Sequence, residues 1–130
     1  MLAAAERKIL EGQGLAGGAV ADHQRGLRNG KRAGQRFGGI VVTNYLHRPL
    51  LPILAQSLAE QGVLIYETFM VGNEKFGKPS NPDFLLRPGE LLQAFADLAV
   101  VAFEQGKTEN SVLQRICVIR GEAGSVRIRA

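Results

Sequence analysis

Apolar and polar positions follow little order over the first third of the chain and a regular order after it. Leu2, Ala5, Ile9 and Leu10 share one side of a helical wheel, which predicts a short helix over residues 2–11. GQGLAGG (12–18) breaks it, and AVAD (19–22) has the pattern of a very short strand. From Phe37 the signals sharpen. FGGIVVTN predicts a strand whose consecutive apolar residues Ile40, Val41 and Val42 suit a strand covered on both faces. Pro49 fits a first helical turn, and Leu50, Ile53, Leu54, Ser57 and Leu58 form a helical stripe. Gly62 is placed to end that helix in a left-handed cap. VLIYETF (63–69) predicts a second strand. MVGNEKFGKPSNPDFLLR (70–87) is irregular, but Phe76, Phe84, Leu85 and Leu86 make it too apolar to hang free, so it is expected to fold over something. Pro88 and Glu90 open a helix that runs through Phe95. LAVVAFE (98–104) and SVLQRICVIR (111–120) predict two more strands, joined by a link too short for a crossover helix and therefore antiparallel. The order from Phe37 is strand, helix, strand, helix, strand, strand, an α/β pattern with three parallel strands and one reversed.

Composition adds bounds. With 130 residues, 45% apolar and 22% charged, the chain suffices for one domain with a core. No apolar run approaches the ~20 residues that span a bilayer, and the first residues lack a signal-peptide core, so the expected location is cytoplasmic with no membrane partner. Cys117 is the single cysteine, which excludes an intramolecular disulfide and reads as a small buried hydrophobe. Net charge is +4, and RGLRNGKRAGQR concentrates Arg25, Arg28, Lys31, Arg32 and Arg36 without an acid. Such a run attracts phosphates. Three glycines and no aromatic residue within it favour a solvated loop over a nucleic-acid site. GQGLAGG has the G-x-G-x-x-G spacing but follows a helical pattern instead of a strand, so it is not read as a dinucleotide loop.

The candidate chemistry lies where strands end. Ligands of open α/β sheets bind beyond the carboxyl ends of parallel strands. Thr43, Asn44 and Tyr45 end the first strand, and Tyr66, Glu67 and Thr68 end the second. Both sets point to one rim, from which the long 70–87 segment departs. His47 is a candidate general base, or else satisfies backbone groups at the helix start. No His or Cys stands at metal-ligand spacing from it, so no metal site is expected. Neither Ser57 nor Ser80 lies in a nucleophile-elbow motif.

VVTNYLHRPLLPILAQSLAEQGVLIYETF, followed by VGNEKFGKPSNPDFLLRPGELLQAF, resembles the class I S-adenosylmethionine-dependent methyltransferases, and within them the tellurite-resistance-type subgroup. NYLHRPL and GKPSNPDFLLRPGEL carry most of the likeness, which spans residues 37–120. The resemblance implies a partial Rossmann-like sheet with helices on both faces, in which the last, antiparallel strand lies between its two predecessors. It implies S-adenosylmethionine as cofactor and a small-molecule methyl acceptor. Asn44 and Tyr45 would face the cofactor, with Asp22 as a further adenine contact. Tyr45, His47 and Glu67 would carry acceptor contacts or proton removal. Thr68, Asn73, Phe76, Asn81 and Phe84 would bind or cover the acceptor. The family's first strand with its glycine-rich loop, and the acidic residue that holds the ribose, have no counterpart in this sequence. The expected organisation is therefore an N-terminal helix and basic loop (1–36), the carboxyl half of a methyltransferase-like domain (37–120) and a tail (121–130), truncated and weak or inactive alone. The alternative is a non-catalytic α/β interaction module. In the family's sheet order the 40–43 strand would lose its neighbour, so either a homo-oligomer forms through that edge or residues 2–22 fold over it, the homo-oligomer being the expected partner.

Overall fold

The computed structural model describes residues 36–128. The helix expected at 2–11, the short strand at 19–22, Asp22 and the basic run up to residue 35 lie outside them. Strand β1 is Phe37–Thr43. A single 3-10 turn, Arg48–Leu50, leads into helix α1, Leu51–Gln56. Strand β2 is Leu58–Phe69, helix α2 is Glu90–Ala94, and strands β3, Ala99–Lys107, and β4, Val112–Ile119, form the closing hairpin.

The sheet order is β1-β2-β4-β3. β1 runs parallel to β2, and β4 runs antiparallel to both β2 and β3. β1, β2 and β3 therefore share one direction, and the reversed strand lies between β2 and β3. The registers align side chains in rows. Ile40 and Val42 pair with Leu64 and Tyr66, which pair in turn with Val118 and Ile116. These six are all buried, and they belong to one cluster with Leu51 and Leu54 of α1, Leu91 of α2, and Leu46, Leu58, Leu86, Phe95 and Leu98. Burying each of these large side chains contributes about 1.5–3 kcal/mol before conformational entropy is set against it.

Because alternate strand residues point to opposite faces, both helices pack on the same side of the sheet. The expectation of helices on both faces is thus met on one face among the described residues. On the other face Val41, Val63, Ile65 and Cys117 are half-buried. Burial raises the pKa of the Cys117 thiol.

The first helix is shorter than its stripe suggested. It ends at Gln56, Ile53 is exposed, and Leu58 already belongs to β2. Ser57 and Arg120 decide this. The Ser57 hydroxyl donates to the Ile53 carbonyl at 2.7 Å, and the Arg120 guanidinium donates to the carbonyls of Ala55 and Leu58. The Ile53 and Ala55 carbonyls at the helix end are thereby satisfied by the capping Ser57 and by Arg120 from the far end of the chain. The left-handed residue is Gln61 (φ 66), not Gly62. Gly62 is required for another reason: a Cβ there would lie 2.7 Å from the Ala59 carbonyl oxygen and 2.9 Å from that of Phe37.

Candidate functional site

Beyond Thr43 the chain must leave the sheet, and Asn44 turns it with a positive φ of 57, a conformation that asparagine tolerates better than most residues. The turn is held from β2. The Asn44 amide donates to the Glu67 carbonyl at 2.9 Å, and the Tyr66 hydroxyl donates to the Tyr45 carbonyl at 2.6 Å. Tyr66 is almost fully buried, and desolvation pushes its hydroxyl well above the ordinary tyrosine pKa, so it remains a neutral donor.

The 70–87 segment returns over this corner. Its two ends are stitched to β2 and to each other: Leu86 donates to the Phe69 carbonyl and Val71 to the Leu86 carbonyl, both at 2.9 Å. In between lie two 3-10 turns, Asn73–Lys75 and Pro82–Phe84. Arg48 holds the second turn down. Its guanidinium donates to the Asp83 and Leu85 carbonyls at 3.1 and 2.8 Å, and forms a two-point ion pair with Glu90 at 2.7 and 3.0 Å. Two parallel charge-assisted bonds are the strong form of this interaction. Burial by itself would raise the Glu90 pKa, but the Arg48 side chain and the Arg87 amide outweigh it and hold the carboxyl below its usual value.

The result is a cavity of about 240 Å³ lined by Asn44, Tyr45, Leu46, Thr68, Phe69, Pro79 and Phe84. The two strand ends and the covering segment thus contribute to one site. Of the residues singled out from the sequence, Asn44, Tyr45, Thr68 and Phe84 meet here. The others do not line it. The Asn73 side chain is spent on structure, donating to the Pro79 carbonyl and accepting from the Val112 amide. Asn81 caps its own turn by accepting from the Asp83 amide. Phe76 and His47 are exposed, and His47 makes no capping bond.

Glu67 lies one residue below the rim, 4% exposed, in a row that crosses the sheet: Thr43, Glu67, Arg115, Glu104. Arg115 Nε is 3.4 Å from Glu67 Oε1, and Arg115 Nη1 is 3.2 Å from Glu104 Oε1. The Glu67 contact is an ion pair without hydrogen-bond geometry, and both Glu67 Oε1 and Thr43 Oγ1 are buried with no hydrogen bond. Leaving such a group unsatisfied costs about 1–3 kcal/mol. Among the described residues no group of three or more His, Cys, Asp or Glu is placed to hold a metal ion, and no helix is long and apolar enough to cross a membrane.

Sequence reasoning missed Arg48 as the clamp on the cover, along with Leu46, Phe69 and Pro79 as cavity walls. The pairing of Arg48 with Glu90, 42 positions apart, has no local signal. Phe69 and Pro79 were legible only as part of the strand end and the segment that the cavity joins.

No protein-family model matches the chain, and no curated protein matches it. Among solved structures, the N-methyltransferase NodS from Bradyrhizobium japonicum WM9 is similar to it, with a TM-score of 0.51 at 15% sequence identity. The match covers 68% of this chain and 53% of that one, so the chain spans about half the length of NodS. The fold is methyltransferase-like. The described residues do not fit the whole of S-adenosylmethionine. The cavity is smaller than the roughly 300–1,000 Å³ of sites for drug-sized ligands, and no carboxylate lines it to hold a ribose.

Proposed function

We propose that this chain is a methyltransferase-like domain of the S-adenosylmethionine class, of the tellurite-resistance type, that builds the acceptor side of a methyl-transfer site and is weak or inactive alone. The observation that carries this reading is the cavity itself. Two neighbouring parallel strands end in Asn44-Tyr45 and Thr68-Phe69, and the cover closes on them with Pro79 and Phe84. Methyl transfer depends on holding donor and acceptor in line, so a rigid floor and a pinned cover are what the chemistry needs from this half. Tyr45 lines the cavity and is the rim residue we assign to acceptor contact, while Glu67, paired with Thr43 on the adjoining strand, lies one residue below the rim.

Calorimetry with S-adenosylhomocysteine tests the reading. Saturable binding in the millimolar range is expected. Sub-millimolar binding would overturn the claim that the chain is weak alone, and no binding at all would favour the non-catalytic module. That second reading has its own support: β1 is an edge of the sheet among the described strands, and edges invite pairing with another chain.

A further inference from the structure

Polar side chains around the covering segment fall into two groups. Asn73, Asn81, Glu90 and Gln114 are all committed to hydrogen bonds within the protein. Asn44, Tyr45 and Thr68 are different: among the described residues their side chains make none, although Thr68 is 1% exposed and all three line the cavity. Uncommitted donors and acceptors converging on a mostly apolar pocket are what orient a bound small molecule. The remaining walls are Leu46, Phe69, Pro79 and Phe84, and no lining residue carries a charge.

Charge selection follows from the surroundings. An anion would find no cation in the lining, and Arg48 on the cover spends its guanidinium on Glu90 and two carbonyls. A cation would lose its hydration without a carboxylate in the lining to replace it.

We propose that the cavity takes a small, uncharged, ring-sized acceptor bearing a hydrogen-bonding group, flanked by Tyr45, Phe69 and Phe84 and oriented by Asn44, Tyr45 and Thr68. This names the acceptor class within the methyl-transfer reading and rests on it for the word acceptor. The binding preference itself does not depend on methyl transfer.

Three probes of one shape separate the cases: benzamide, benzoate and benzylammonium. Titrations followed by amide chemical shifts should show benzamide moving Asn44, Tyr45 and Thr68, with at least tenfold tighter binding than either charged probe at neutral pH. Thr68→Val should weaken benzamide several-fold, and Phe84→Ala, at an exposed position of the cover, should weaken all three probes together. Equal or tighter binding of benzoate or benzylammonium overturns the proposal. So do shifts that map elsewhere, or no shift with any probe. Benzamide binding without a response to S-adenosylhomocysteine would leave this inference standing and sink the methyl-transfer reading; the reverse result would do the opposite.

Discussion

Thr43 and Glu67 stand opposite each other on β1 and β2, both buried and each with an oxygen that forms no hydrogen bond. A hydroxyl in that state carries its desolvation cost without compensation. Thr43→Val keeps the side chain's shape and removes the oxygen, so it should raise unfolding free energy by about 1 kcal/mol in urea titrations. A loss of stability would show that the hydroxyl is satisfied after all. Gln114 is the contrary case. It is fully buried, its Oε1 accepts from the Leu91 amide at 2.7 Å, and its Nε2 donates to the Arg87 carbonyl at 3.0 Å and to Gln105 Oε1 at 3.1 Å. It ties the first turn of α2 to β4. Gln114→Leu strips partners from several buried groups at once and should cost roughly 2–3 kcal/mol, with faster amide exchange at Leu91. An unchanged urea midpoint would remove Gln114 from the account of how α2 is held.

At the scale of elements, the covering segment depends on Arg48. Its guanidinium binds the carbonyls on either side of Phe84, so the cavity wall is fixed through its neighbours. Arg48→Gln should speed amide exchange across residues 81–87 and leave β2 and β4 unaffected. Glu90 makes this clamp sensitive to acid. Its folded pKa lies below the ordinary carboxylate value near ~4.3, so its contribution is complete above that value and is lost as pH falls through the folded pKa. The wild-type advantage over Arg48→Gln in urea should therefore shrink from pH 6 to pH 3; an advantage constant with pH would remove Glu90 from the explanation. The strands were legible because their apolar runs and breakers are local. VLIYETF and SVLQRICVIR fall within β2 and around β4, and the rim at Asn44 and Thr68 followed from strand order alone. The end of α1 was not legible. The stripe continues to Leu58, while the residues that stop the helix include Arg120, 65 positions after Ala55. The fates of Asn73 and Asn81 were equally hidden, since a cap and a binding residue look alike until their partners are known.

The whole molecule is built unevenly. One face of the sheet is sealed by α1, α2 and the leucines between them, whereas the other leaves Val41, Val63, Ile65 and Cys117 half-buried. β1 combines both openings, since it is the edge of the described sheet and carries Val41 on the less covered face. Beyond the register irregularity between Phe37 and Gly39, this edge strand has apolar side chains and neither a charge nor a proline to keep it from pairing. We propose that the chain self-associates through residues 40–43, the edge of the described sheet. Sedimentation velocity should show mass rising with concentration from micromolar upward, and amide exchange at Val41 and Thr43 should slow in parallel. Val41→Lys places a charge at the edge without touching the buried Ile40–Val42 row, so it should shift the protein toward monomer while leaving its urea midpoint at low concentration nearly unchanged. A monomer mass independent of concentration, with fast exchange at Val41 and Thr43, would show that this edge pairs with nothing.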